Sequence, residues 1–146
     1  MKAFAELLEQ LILTSSRNKK VDYLAQYFAK TPDPDRGLAL AAITRDLSLR
    51  HVKSSLVKQN VLERVDPKLF ALSYDYVGDL GETVALIWPE TVSGELPSVK
   101  DFIAFLEDTP KAELPALFSD LMDLATPNER WAMIKMITGG LRVGVS

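Results

Sequence analysis

The feature that most constrains this chain is a set of apolar residues that recur at helical spacing along most of its length. The i, i+3, i+4, i+7 repeat occurs at Phe4, Leu7, Leu8 and Leu11, then at Val21, Leu24, Ala25 and Phe28, and again at Val99, Phe102, Ile103 and Leu106; Leu117, Leu121 and Leu124 continue it after Pro115. This spacing aligns side chains on one face of a helix. The sequence therefore predicts an all-α fold made of amphipathic helices.

Polar and proline-containing segments indicate where these helices begin and end. In TSSRN at 14–18, Ser15 or Ser16 can cap the second helix through its hydroxyl. TPDPDRG at 31–37 breaks the chain, because proline lacks an amide hydrogen and disfavours helix in the residue before it. TPNER at 126–130 has the cap, proline and glutamate of a strong helix start.

The remaining elements follow from the same signals. These signals predict a helix or pair of helices over 38–64, a helix near 66–76, and a helix from the GDLGE turn at 78–82 to Trp88. They also predict a surface loop at 89–97 and allow a short extended segment in LRVGV at 141–145. In GDLGE, Asp79 and Glu82 fit a capping arrangement. At 146 residues the chain fits one compact multi-helix domain, 1–146.

Composition removes several kinds of chemistry. The chain has no cysteine and one histidine, His51, so it has few of the residues that form a zinc site or a Ser-His-Asp triad. We interpret His51 as a surface or core residue. Asp33 and Asp35 form a close carboxylate pair, which in a proline-rich turn predicts capping or solvated groups. No nucleotide-binding glycine loop occurs. The sequence thus indicates no catalytic residue and no metal site.

Hydropathy and charge bear on location and partners. No run approaches the roughly 20 apolar residues that span a bilayer, and no signal peptide is recognisable. We therefore expect a cytoplasmic protein without a membrane partner. Residues 1–70 hold 12 Lys/Arg and 8 Asp/Glu, whereas residues 71–146 hold 5 and 12. Basic character is concentrated in the first half, as expected if one face binds an anionic partner.

Two segments could contact a phosphate backbone. SSRNKK at 15–20 places Ser16, Arg17, Lys19 and Lys20 at the first turn of a helix, where free amides and the positive end of the helix dipole attract phosphate. An ordinary capped turn with a solvated basic face explains the same residues. Residues 38–66 have the rhythm of a helix-turn-helix with SLRHVKSSLVKQN as its recognition helix, which would bring Arg50, Lys53 and Lys58 to a major groove.

The last ten residues, ITGGLRVGVS, surround one arginine with three glycines. Gly139 or Gly140 can end a helix as a left-handed cap. A cap requires one glycine only. Close approach of the backbone to a phosphate beside Arg142 accounts for Gly139, Gly140 and Gly144 together.

Three segments carry a family resemblance, in this order over essentially the whole chain: LTSSRNKKVDYLAQYF at 13–28, SYDYVGDLGETVAL at 73–86 and ERWAMIKMITGGLRVGVS at 129–146. They resemble the N-terminal DNA-binding domain of bacterial ATP-dependent DNA ligases. The resemblance implies an all-helical domain that lies along the minor groove of nicked duplex DNA with little sequence preference. It also implies that the domain holds this DNA against the ligase's own adenylation domain in DNA repair, replication or recombination.

The resemblance also implies site residues. Gly139, Gly140, Arg142 and Gly144 would form a loop that contacts the DNA backbone, and the turn of Ser16, Arg17 and Lys19 would be a second contact. Gly78 and Asp79 match a further motif of the family, which we interpret as a structural turn first and a contact second.

One feature of the family is missing from this sequence. No lysine is followed by a variable residue, aspartate and glycine, so the nucleotidyltransfer motif is absent. The adenylation and OB-fold domains are thus expected to lie outside this chain. We expect no cofactor here, with ATP and Mg²⁺ belonging to the parent ligase's catalytic domain. A sequence-specific regulator that uses 38–64 and a helical protein-interaction module stay open as alternatives.

Overall fold

The computed structural model describes residues 1–47, 49, 52–89, 94–139 and 141. Within these residues the chain forms helices without any strand: α1 Lys2–Leu13, α2 Arg17–Lys30, α3 Asp35–Ile43, α4 Ser54–Arg64, α5 Pro67–Val77, α6 Leu80–Ile87, α7 Val99–Asp108, α8 Leu114–Leu124 and α9 Pro127–Thr138. The predicted all-α class is confirmed. Of the LRVGV segment, only Leu141 lies among the described residues.

The predicted helix starts are capped by their own side chains. Ser16, rather than Ser15, caps α2, because its Oγ accepts the Lys19 amide at 3.3 Å. Asp79 caps α6 by accepting the Glu82 amide at 2.8 Å. At α9, Thr126 and Glu129 form a complete capping box. These three predictions are confirmed.

Two proline-containing segments differ from prediction. Helix α3 begins at Asp35, within TPDPDRG, and α8 contains Pro115 in its first turn. Proline is tolerated there because the amide it lacks would have no intrahelical partner. The carboxylates behave as predicted: Asp33 accepts the Gly37 amide at 3.2 Å, and Asp35 accepts the Lys100 amide at 3.0 Å.

Helix α9 is central, with most of its residues buried and contacts to α1, α4 and α6. Helices α1 and α2 are antiparallel, since the rings of Phe4 and Tyr27 are 6.2 Å apart near opposite ends of their helices. Helices α1 and α9 run in the same direction, because the Met1 ammonium lies near the Glu129 carboxylate. Burial lowers the pKa of this ammonium, and the nearby Asp35 and Glu129 carboxylates oppose that effect.

Polar contacts show that α4 and α6 run opposite to α9. Lys135 near the end of α9 pairs with Asp79 at the start of α6. At the other end of α6, Trp88 Nε1 donates to Oδ1 of Asp123, a residue shortly before the start of α9, at 3.0 Å. Arg64 at the end of α4 also binds Asp123, at 2.9 Å. Helices α1 and α9 finish at the same end of the fold where α2, α4 and α6 begin. We call this end the Gly139 end. The opposite end is the Glu129 end.

Gly81 lies where α6 packs against α9. A Cβ there would lie 3.3 Å from Lys135 Cε and 3.5 Å from Ile134 Cγ2. The lysine Cε belongs to a flexible side chain that can shift, so a methyl group can be accommodated, and alanine favours helix over glycine by up to about 1 kcal/mol.

We therefore expect Gly81→Ala to leave the melting temperature unchanged or raise it. Gly81→Leu should lower the free energy of unfolding by about 1 to 2 kcal/mol through overpacking. Thermal and urea unfolding of both variants measure this, and a clearly destabilised alanine variant would contradict the packing described.

Candidate nucleic-acid interface

The turn that begins α2 lies at the Gly139 end and presents basic side chains. Arg17 and Lys19 are exposed in the first turn, and Lys20 is partly buried. The Ser16 amide donates to Thr14 Oγ1 at 3.2 Å, which fixes the entry of the chain into the helix. The turn has no acidic residue. Its cations oppose the helix dipole rather than complement it, so this pattern does not favour helix stability.

The GDLGE turn lies at the same end and is structural, as predicted. Gly78 ends α5 in the left-handed region with φ 79°, and Asp79 caps α6. Partial burial by itself raises the pKa of the Asp79 carboxyl. Hydrogen bonds from Lys135 and from the Glu82 and Gly81 amides outweigh burial and hold the pKa below its ordinary value. Asp79 is therefore an ionised anchor that ties α6 to α9.

Where α4 and α6 begin and α9 ends, there is a shallow, largely polar groove of about 260 Å³, lined by residues that include Ser54, Lys58, Asp79, Gly81, Lys135 and Thr138. The exposed Lys58 ammonium lies 5.9 Å from the centre of the Tyr74 ring. The sequence did not relate Ser54 to Thr138, because no spacing connects these two positions. Only the opposite directions of α4 and α9 bring them together.

The helix-turn-helix interpretation of 38–66 is wrong. Residues 44–53 separate α3 from α4, whereas a helix-turn-helix joins its helices by 3–4 residues. Helix α4 begins only at Ser54 and buries Leu56, Val57 and Val61, so the described part of the predicted recognition helix before Ser54 is not helical. Lys53 lies before the helix, and Arg50 and His51 lie outside the described residues.

Gly139 is the left-handed cap of α9. Its φ and ψ are 70° and 16°, and its amide donates to the Lys135 carbonyl at 3.0 Å. Leu141, only 2% exposed, packs into the core just beyond it. Gly140, Arg142 and Gly144 lie outside the described residues, so the contact loop stays a prediction from sequence.

Gly139→Ala should lower the free energy of unfolding by about 1 kcal/mol, the cost of placing a side chain in the left-handed region. No atom lies within 4 Å of a Cβ built there, so collision adds nothing. Urea unfolding monitored by circular dichroism measures the change. A loss well above 2 kcal/mol would show that Gly139 has a packing role beyond the cap.

Two further findings come from the described residues alone. No group of three or more His, Asp or Glu side chains in them could hold a metal ion. None of the helices they form is long and apolar enough to cross a membrane.

Comparison with known protein families decides the identity. The family model for the DNA ligase N terminus matches residues 1–146. The chain belongs to this family. It is thus an N-terminal domain of the ATP-dependent DNA ligase type, as the sequence resemblance implied. A search of curated proteins gave no match.

In this ligase N-terminal domain, the two turns that carried the resemblance lie at one end although they are distant in sequence. The Ser16 turn opens α2 beside the end of α1, and the GDLGE turn opens α6 beside the end of α9. The Glu129 end carries charges of both signs: Asp35 and Glu129 lie near Met1, and Lys2, Lys100 and Asp101 lie in the first turns of α1 and α7.

Proposed function

We propose that this chain binds duplex DNA through the Gly139 end, as the DNA-binding part of an ATP-dependent ligase that acts in DNA repair or replication. The observation that carries the proposal is that the exposed Arg17 and Lys19 begin α2 at the end of the fold where α9 finishes, in a family of ligase N-terminal domains. The tail with Gly140, Arg142 and Gly144 continues from that exit.

The proposed mechanism is electrostatic and geometric. Arginine and lysine side chains replace the counterions of DNA phosphates, so binding weakens steeply with salt. Phosphate contacts fix the orientation of the duplex but carry no sequence information. A surface of this kind suits a ligase, which must accept nicks in any sequence and present them to its adenylation domain. Contact along the minor groove of a nicked duplex is part of the proposal.

Titration of nicked, intact and sequence-unrelated duplexes at several salt concentrations tests the proposal. We expect equal affinities for different sequences of the same structure and a linear fall of the logarithm of affinity with the logarithm of salt concentration. One preferred sequence bound by a two-fold dimer would support a regulator instead. Absence of binding to any duplex would support a protein-interaction module.

A further expectation concerns chemistry. Because the lysine-x-aspartate-glycine motif is absent, incubation of this chain with labelled ATP and Mg²⁺ should leave the protein unlabelled. Mass spectrometry of the intact chain is a second measurement of the same point. A stable adenylate on a lysine of this chain would overturn the non-catalytic role.

A further inference from the structure

The outer face of the α5–α6 pair exposes large apolar side chains. Leu69, Leu72 and Tyr76 on α5 are 52%, 66% and 92% exposed, and Leu86 on α6 is 71% exposed. Residues 69, 72 and 76 follow the i, i+3, i+7 spacing of one helix face. A cluster of exposed apolar residues is informative where a single one is not, because such patches commonly mark interaction sites.

These side chains border a shared groove. Leu72 and Tyr76 on α5 and Leu86 on α6 line a groove of about 400 Å³ between the two helices. The opposite faces of the helices are used inside the protein, where Phe70 and Val84 are buried. The outer face is therefore not needed for the packing of α5 and α6 onto the rest of the fold.

Acidic residues accompany the groove. Asp75 lies three residues after Leu72 and Glu82 four residues before Leu86, so each shares its helix face with a groove residue, and both are exposed. Residues 66–88 hold one lysine against four carboxylates, of which Asp79 pairs with Lys135. Negative charge here opposes the binding of DNA. It also opposes pairing of this face with the same face of a second copy, which would bring like charges together.

We propose that the outer face of α5–α6 is the docking site for an amphipathic helix of a partner protein, with apolar residues at helical spacing flanked by lysine or arginine. Two packed helices with a groove between them accept a third helix through packing of side-chain ridges. The carboxylates of Asp75 and Glu82 select a basic helix. The groove lies between α5 and α6, whereas the basic turn of Arg17 and Lys19 begins α2, so the two proposed surfaces use different residues.

The test uses the whole chain and a labelled helical peptide of about 18 residues, a length sufficient for helix formation. Leucines at i, i+3, i+4 and i+7 form its apolar face, with lysines elsewhere. Two control peptides carry glutamate in place of lysine, or the same residues in scrambled order. We expect saturable binding, measured by fluorescence anisotropy, for the leucine–lysine peptide only.

Variants then locate the site. Leu72→Gln and Leu86→Gln should each weaken peptide binding about tenfold, the loss expected for one buried leucine. Asp75→Asn with Glu82→Gln should weaken binding and reduce its salt dependence. Leu40→Gln, at a 47% exposed leucine on α3, is the matched control and should bind normally. Leu72→Gln and Leu86→Gln should retain duplex binding, so failure here is distinguishable from failure of the proposed DNA function.

Three results would overturn the proposal: no saturable binding of the leucine–lysine peptide, equal binding of the scrambled peptide, or undiminished binding to the Leu72→Gln and Leu86→Gln variants. Sedimentation of the chain alone provides a further check. Self-association that is lost in Leu72→Gln would mean that a second copy, rather than a basic helix, covers this face.

Discussion

Asp79→Ala is expected to lower the free energy of unfolding by about 2 to 3 kcal/mol, a large effect for a partly exposed residue. The loss of the α6 cap contributes about 1 kcal/mol. The remainder comes from Lys135, whose side chain is only 13% exposed and would lose its carboxylate partner. Urea unfolding of the variant measures the total.

Two control variants separate these contributions. Lys135→Met removes the mostly buried charge together with its need for a partner, and keeps the cap, so we expect a change below about 1 kcal/mol. Asp79→Asn keeps a capping oxygen and loses the charge. If Lys135→Met destabilises the protein as much as Asp79→Ala, then the ion pair rather than the cap fixes the start of α6.

The same carboxylate predicts a pH dependence. The pKa of Asp79 is lower in the folded chain than its ordinary value of 3.8, so the folded state favours the ionised form. Its stabilising contribution is therefore present above that value and is lost as the pH falls through the lower, folded pKa. The difference in stability between the native chain and Asp79→Asn should shrink over this acidic range and stay constant near neutral pH.

Combined replacement of Arg17, Lys19 and Arg142 by alanine should lower the affinity for nicked duplex roughly 100-fold and reduce the salt slope by about three, one for each lost phosphate contact. Folding should be nearly unaffected by the first two changes, because both side chains are exposed and oppose the helix dipole. Fluorescence anisotropy and thermal melts on the same samples measure both quantities.

Matched controls come from the Glu129 end. Three exposed lysines lie at this end, in the first turn of α1, the last turn of α2 and the first turn of α7: Lys2, Lys30 and Lys100. Replacing all three with alanine changes the net charge by the same amount as the Arg17, Lys19 and Arg142 variant. We expect only a small loss of affinity in this variant. Equal losses in the two triple variants would show that overall charge, rather than the Gly139 end, governs binding. Arg142→Lys should recover part of the loss, since lysine keeps the charge without the guanidinium fork.

Helix positions followed from sequence where periodicity and capping agreed. The repeat from Phe4 to Leu11 gave α1, and Ser16 and Thr126 marked helix starts, because these signals are local. The helix-turn-helix interpretation of 38–66 was wrong because α3 ends at Ile43 and α4 begins only at Ser54, although apolar residues continue to occur in the sequence between them. Spacing alone does not show where the backbone leaves the helix.

The candidate site depended on information that local signals do not contain. Ser54, Lys58 and Lys135 line one groove because α4 and α9 run in opposite directions, which tertiary packing decides. The outer face of α5–α6 was not predicted either, because tertiary packing also decides which apolar residues of a helix are buried. Leu86 and Val84 are both apolar residues of α6, yet one is 71% exposed and the other fully buried.

Hydrogen–deuterium exchange of the chain with and without saturating nicked duplex tests the central claim most directly. We predict slower exchange on DNA binding for amides of residues 15–20, at the start of α2, and for the segment that follows Gly139. The starts of α7 and α9, at the Glu129 end, should exchange at unchanged rates. Protection confined to the Glu129 end or to the outer face of α5–α6 would contradict the assignment of the Gly139 end as the DNA-binding surface.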